Sequence, residues 1–562
     1  MSNHNGGRGT SMQSWFDANP KALKRTKDFV ANRKKGDPTS VRSLLDSMIL
    51  QFKFPFSSEP SLVRHLKSLG LAAVVPGEPK APVTEVLEKN HLFVPSSKQS
   101  EAIRTSRRWV VTAAQNNTDP EGKFLETLKV YCKRNKAELL IRPLRYKNPT
   151  NNGIVPDGAD PEGIWWHPDV EPYLIDVEVE LKDVLIPDVR IAATAGNPLT
   201  GLDSRSGAKH GVYAATQLAM RTVPTPQQAL PKILYSTGAV TVANYSTTKS
   251  GNLAEFHHNL SAVVIEQDEK GRTFIRAVQW DGNGITDIDR RYTPKGSKKA
   301  DRWEALIPGD EHAWFVDPSV VGATYLNKNS MVKTGRPHVI VRHDLLDCYS
   351  VSHHHLGNQL IQTNKDVHGW GNLEQELSDT IAYLNTTSPK DTLNLIVSSN
   401  HNNHLSQWLS KGEKAVTSQN ALLYHKLMAA VLESSEKTHT GVKHADPFEV
   451  YSRGKIKAQA EFLGGEDCYM IKDIDVAMHG HLGPNGSRGS ARNLSNIGVK
   501  SVIGHTHSPN IFRGVHQVGT SSRYDLEYAS GPSSWLHCHG VIHSNGKRQL
   551  LPIIDGEWRA RD

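Results

Sequence analysis

The sequence predicts an α/β protein: a C-terminal β-sandwich flanked by helices, preceded by an α/β domain and a small helical N-terminal domain. Three observations lead there. After residue 300, five short apolar stretches (305–307, 339–341, 395–397, 476–478 and 502–503) each run into polar turn residues, as buried strands do. Between 101 and 300, an apolar run at 109–114, an amphipathic stretch at 123–133 and a second apolar run at 139–141 give a strand, helix, strand order, hence a parallel arrangement. Before residue 100, residues 39–50 and 57–69 carry apolar side chains at helical spacing.

With 562 residues the chain exceeds what one hydrophobic core organises, and about three units are expected, at 1–100, 101–300 and 301–562. In the first, residues 21–35 hold seven basic residues, Lys24 and Arg25 among them, against the single acid Asp28. Such a cluster attracts phosphate backbones without reading sequence. The two helices after it resemble a helix-turn-helix unit, with Arg64, His65 and Lys67 able to face DNA. Pro60 in the first turn and Gly70 at the end mark the limits of the second helix. Residues 71–100, with Pro76, Pro79 and Pro82, are expected to be a linker.

The middle unit adds a second basic cluster, Arg104, Arg107 and Arg108, beside Trp109. Beyond residue 172 it turns to strands, at 175–181, 233–235, 262–266 and 274–278, the last two flanking a turn at 268–271. It carries neither a metal-type constellation nor a Gly-x-x-x-x-Gly-Lys-Ser/Thr phosphate loop, so its role is unassigned and ATP dependence is not expected. In the third unit, 372–384 and 422–432 have helical spacing and would cover a sheet face. Closing strands at 515–518 and 540–542, with the turn Asn545-Gly546, complete the second sheet of the sandwich.

Composition narrows the class. No apolar stretch approaches the ~20 residues that span a bilayer, residues 1–10 lack the apolar core of a secretion signal, and Cys132, Cys348, Cys468 and Cys538 show no paired spacing. The expectation is a protein of a reducing cytoplasm. The net charge of +8 is a mild excess that favours a polyanionic partner.

The chemistry lies in the polar runs just past the five apolar stretches: Gly309-Asp310-Glu311-His312, His343-Asp344, Ser399-Asn400-His401, His479-Gly480-His481 and Gly504-His505-Thr506-His507. Open α/β sheets bind ligands beyond the carboxyl ends of their strands, so five strands would deliver these tips to one edge. Carboxylate and amide oxygens suit Mg²⁺ or Mn²⁺, and neutral imidazole suits Mn²⁺, Fe²⁺ and Zn²⁺. No cysteine occurs in these runs, which argues against a structural zinc site. Of the 27 histidines, 20 fall at or after His312, so histidine is enriched where the site is expected. Most of those, including His425, His439, His444, His516 and His543, are expected to be surface or packed residues, as are His537 and His539. The run His353-His354-His355 is a candidate for contacting substrate phosphate from a helix start.

In order and spacing these runs resemble the calcineurin-like metallophosphoesterases, whose DNA-processing branch contains the Mre-eleven and SbcD type nucleases; the likeness covers roughly the last 260 residues. The resemblance implies one metal ion between Asp310, His312, Asp344 and His507 and a second between Asp344, Asn400, His479 and His505, with Asp344 bridging and His401 the catalytic, non-ligating histidine. His481 is an alternative to His479. The chain departs from the family pattern at His343, where glycine is usual, and at Ser399 and Asn402, where a carboxylate often stands in the latter place. Those departures bear on the orientation of His401.

Over its full length, with residues 110–115 and 504–509 included, the chain also looks like the DNases with which some phages degrade host DNA at the start of infection. That likeness implies two divalent cations, Mn²⁺ or alternatively Mg²⁺, a DNA substrate, a homo-oligomer and, for a phage-encoded chain, the bacterial host's cytoplasm. The expected function is therefore a metal-dependent DNA nuclease. The competing readings are a phosphatase or small-molecule phosphodiesterase on the same metals, and a DNA-binding regulator whose metal site is vestigial.

Overall fold

The computed structural model describes residues 19–22, 24, 93–146, 163–226, 229–355, 357–412, 416–439, 441–526 and 530–560. The chain divides into two compact units, Met1–His91 and Leu92–Asp562. Both helices expected in the first, and with them Arg25, Arg64 and Lys67, lie outside the described residues, as does the proline-bearing stretch 76–82; Lys24 is exposed.

The second unit is mixed α/β with several sheets. Two of them build the sandwich. The first has six strands in the order Ala460–Leu463, Leu393–Val397, Val339–Arg342, Ala305–Ile307, Cys538–Ile542 and Arg548–Pro552, the first four mutually parallel and the last two antiparallel. Side chains alternate across it. Ala305, Ile307, Val341, Leu395 and Val397 enter the core shared with the second sheet, while Leu306, Ile340 and Ile396 pack outward against helical and loop residues. A strand buried on both faces reads as a continuous apolar run, which is why these were recognisable as short unbroken patches.

The outer face is covered by the helices Leu373–Thr387, Asn402–Ser410 and Ala421–Ser434. The first begins where Asn372 caps it by accepting from the Gln375 amide, and Leu373, Leu377, Ile381 and Leu384 form its buried stripe. Truncating one of these leucines to alanine would cost about 2–5 kcal/mol.

The second sheet has ten strands. Ile474–Asp475 and Lys500–Ile503 lie side by side near one end, followed by Val515–Gln517 and Asn510–Phe512. The sheet then continues into strands from the middle of the chain: Leu218–Val223, Lys232–Thr237, His210–Tyr213, Val184–Ile186 and Val179–Leu181. The join is antiparallel, Asn510 opposite Arg221 and Ile511 opposite Met220. The division expected at residue 300 is thus crossed by one hydrogen-bonded sheet, and the two segments belong to one compact unit.

The strand, helix, strand order of the middle region is present: Arg108–Gln115 pairs in parallel with Glu138–Leu144 across the helix Gly122–Asn135. This sheet also takes up the hairpin Ser261–Gln267 and Thr273–Gln279. Each arginine of the basic cluster has an acidic neighbour: Arg104 pairs with Glu101 and Arg107 with Glu269, both at the surface, and Arg108 with Glu266. Trp109 is buried and donates its indole N–H to the Ile103 carbonyl. Among the described residues no helix is long and apolar enough to cross a membrane.

Candidate metal centre

The five runs converge, but from two sheets and not one sheet edge. Asp310 and His312 follow the strand Ala305–Ile307, His343 and Asp344 follow Val339–Arg342, and Asn400 and His401 follow Leu393–Val397, all three neighbours in the six-stranded sheet. His479 and His481 lie beyond Ile474–Asp475, and His505 and His507 follow Lys500–Ile503, neighbours in the ten-stranded sheet. The fourth strand ends at Asp475, so residues 476–478, expected as strand, form an extended connection to His479.

Seven donors fall into two sets that share one oxygen. In the first, His312 Nε2 and His507 Nε2 are 3.1 Å apart, His507 Nε2 is 3.3 Å from Asp310 Oδ2, and His312 Nε2 is 3.7 Å from Asp344 Oδ2. In the second, Asn400 Oδ1 is 3.0 Å from both His479 Nε2 and His505 Nδ1, and His479 Nε2 is 3.2 Å from that same Asp344 Oδ2. Ligand atoms each ~2.1 Å from a common ion and at right angles to one another lie about 3.0 Å apart. The spacings suit two groups of donors that would each share an ion, with Asp344 common to both.

The backbone is shaped for this arrangement at a cost. His312, Asp344, His505 and His507 all adopt positive φ, between 44° and 81°. Left-handed backbone at a residue other than glycine costs on the order of 1–3 kcal/mol and clusters at functional sites. Gly504 is needed for a different reason: a Cβ there would fall 2.1 Å from Asp310 Oδ1. The His505 amide then donates to Asp310 Oδ2 at 2.7 Å.

Burial decides the protonation. Burial and the neighbouring Asp344 hold the Asp310 carboxyl well above the usual range. Burial acts in the same sense on Asp344, but His479 and His401 override it and hold that carboxyl well below the usual range. Burial, then His479, lowers His505 and His481 to about 4, and burial, then His312, holds His507 well below its usual value. Neutral imidazoles beside carboxylates are a ligand set. Asp310 Oδ1, Asp344 Oδ1 and His507 Nδ1 are buried with no hydrogen-bond partner, and an unsatisfied buried polar atom costs ~1–3 kcal/mol. Two divalent cations fit these donors.

His401 stands apart from the ligands. Its Nδ1 is 3.1 Å from Asp347 Oδ1 and 3.2 Å from the Asp347 carbonyl. Although burial opposes it, Asp344 and then Asp347 raise its pKa to about 10. Asp347 also holds His312 Nδ1 at 2.6 Å. Sequence reasoning missed Asp347, and the signal was present: a second carboxylate three residues after Asp344, on the same loop. It answers the question raised by Asn402, since the carboxylate that orients His401 comes from the second run. His343, the other departure, backs His479, the two Nδ1 atoms 3.3 Å apart. Such outer contacts fix ring orientation and tautomer at metal sites.

His481 stands at the rim, half-buried, its ring centre 5.4 Å from that of His479 and neither nitrogen hydrogen-bonded. His479, not His481, is the one beside the shared Asp344 oxygen. His353, His354 and His355 form a 3₁₀ turn, and the first two lie against His404, which adjoins His401. His539 is a packing residue as expected: its Nδ1 accepts from the Gly309 amide and its Nε2 meets the Thr324 hydroxyl. His537 is likewise buried, against Tyr524.

Behind the site, Arg342 and Glu311 form a fully buried ion pair at 2.9 Å. Tyr325 and Tyr383 donate to the same Glu311 oxygen at 2.7 Å, and Arg342 donates to Asn394. Glu311 separates Asp310 from His312 and Arg342 precedes His343, so this network ties two ligand-bearing strand ends together.

No family model matches the chain, and no solved structure matches it. Protein A1 of Escherichia phage T5 is 30% identical over 516 residues. Because that similarity spans 87% of this chain and 90% of the phage protein, the chain belongs to the family of phage T5 Protein A1.

Proposed function

We propose that the chain is a phage-encoded, two-metal phosphodiesterase that hydrolyses DNA. The observation that carries this is Asp344 Oδ2, shared by two sets of hard and borderline donors that together bury two carboxyl groups beside imidazoles. Asp310, His312, Asp344 and His507 would hold one cation, and Asp344, Asn400, His479 and His505 the other, Mn²⁺ being the best match and Mg²⁺ the alternative. A bound pair supplies charge neutralisation at the scissile phosphate and activation of the attacking water.

The chain's own residues supply the rest. Asp344 keeps the two sets adjacent. Asp347 fixes His401 by its Nδ1, which directs Nε2 toward the leaving oxygen; kept cationic, His401 donates a proton there or stabilises the developing charge, worth roughly 10²–10⁴ in rate. DNA as the polymer is supported by the basic stretch at 21–35 and the net charge of +8. Kinship with a phage protein favours action in the host cytoplasm.

The test is incubation of linear and circular DNA with Mn²⁺ and the parent, Asp344→Ala and His401→Ala proteins, with bound metal measured in each. Asp344→Ala is expected to lose metal and cleavage together. His401→Ala is expected to keep both ions and fail to cut. Equal cutting by all three overturns the proposal, and turnover of p-nitrophenyl phosphate without DNA degradation would make the enzyme a phosphatase.

A further inference from the structure

A second cluster of donors lies outside the seven. His353 and His354 sit on the turn His353–His355, and His404 on the first turn of the helix Asn402–Ser410, with one nitrogen from each within 4.8 Å of the others. The rings of His353 and His354 are 3.9 Å apart, and each lies 5.1–5.5 Å from that of His404. His404 is 8% exposed, and its Nδ1 and that of His353 are buried without a hydrogen-bond partner. Two adjacent buried acceptors or donors left unmatched call for a ligand.

The residues around the trio decide the chemistry of that ligand. We propose that His353, His354 and His404 form a third cation site that takes a borderline divalent ion such as Zn²⁺ and is chemically distinct from the oxygen-containing centre. Three nitrogens without a carboxylate disfavour Mg²⁺ and Mn²⁺ and suit Zn²⁺, with coordination positions left for water or substrate. Metal-binding imidazoles must be unprotonated, and burial and then His401 lower His404 to about 3, while burial and then His354 lower His353. Imidazoles held neutral are poorly suited to pairing directly with phosphate. Lys411 acts on His353 and His401 on His404, both unfavourably to a cation, while Asp347 acts favourably on His404. The ring of His404 is 5.1 Å from that of His401, which places the trio beside the seven-donor centre and not within it.

Tag-free protein titrated with Zn²⁺ by calorimetry, in an Asp344→Ala background that removes the seven-donor centre, separates the two. One equivalent of Zn²⁺ is expected to remain, and adding the exposed-site change His354→Ala is expected to weaken it at least a hundredfold with an unchanged circular dichroism spectrum. Addition of His353→Ala should do the same. No Zn²⁺ equivalent in the Asp344→Ala protein, or an equivalent insensitive to His354→Ala, overturns the proposal. So does binding of inorganic phosphate, lost on His354→Ala, in metal-free protein that takes up no Zn²⁺. Retention of three equivalents in Asp344→Ala, one of them lost on His354→Ala, would support this site and count instead against Asp344 as the shared ligand of the main centre.

Discussion

Two clusters of buried charge in this molecule solve opposite problems. Around Arg276, every group is matched: its guanidinium meets both oxygens of Asp287 at 2.6 and 2.7 Å and Glu266 at 2.7 Å, and Tyr131 and Gln549 complete Asp287. None of these atoms is left without a partner. Around Asp344, two carboxylates and several imidazoles are equally buried, yet oxygens and nitrogens remain unmatched and four backbones are held at positive φ. A closed ionic cluster is structure. An open one is a receptor, and its deficit is what a ligand would satisfy.

That contrast is broken most forcefully at Asp344. Cleavage by Asp344→Ala should fall by at least about 10³-fold, with metal uptake lost in parallel, since removing the shared oxygen undoes both sets. His401→Ala should cost about 10²–10⁴ with both ions retained, and Asp347→Asn, which touches His401 but not the substrate, should lower kcat less and shift its pH profile. A full-rate His401→Ala enzyme would remove His401 from the mechanism.

The stability of the two clusters should respond in opposite directions. Asp287→Ala strands Arg276 and should cost about 3–5 kcal/mol in urea unfolding. Asp310→Asn removes a carboxyl whose pKa is raised in the fold, so the metal-free protein should be as stable as the parent or more so. It should also lose the stabilisation that saturating Mn²⁺ gives the parent, about 2.7 kcal/mol at a hundred times Kd. Destabilisation of the metal-free Asp310→Asn protein comparable with that of Asp287→Ala would erase the distinction.

The most gradual effect is on pH. His210 and His543, neither of them a proposed ligand, are held neutral by burial, each lowered to about 4. A folded pKa below the unfolded value of ~6.5 means the unfolded chain takes the proton first as pH falls. The contribution is present above about 6.5 and lost down to about 4, at up to about 1.4 kcal/mol per pH unit for each group. His210 also accepts from the Ile233 amide through Nδ1, a bond that protonation there forbids. Urea midpoints measured from pH 7 to pH 5 should fall accordingly, and His543→Asn should make the fall shallower.

Much of the centre was legible in the sequence because its chemistry is local: Asp310, Asp344, Asn400 and His505 each sit within a few residues of a strand end, where composition changes abruptly. The helix Leu373–Thr387 was legible from its apolar stripe and the Asn372 cap. What escaped was set by distance in the chain. Nothing near residue 220 announces that Met220 will pair with Ile511, and the acids beside Arg107 and Arg108 are Glu269 and Glu266, some 160 residues on. Asp347 escaped although it lies only three residues past Asp344, because the histidines that give it a role, His312 and His401, are 35 and 54 residues away in the chain.

The pairing of Leu218–Val223 with Asn510–Phe512 sets a limit on how this chain can be dissected. A fragment beginning at residue 301 would retain all seven donors but leave the Asn510–Phe512 margin bare, an open row of amides and carbonyls of the kind that recruits foreign strands. Such a piece should aggregate on expression even though no catalytic group has been deleted.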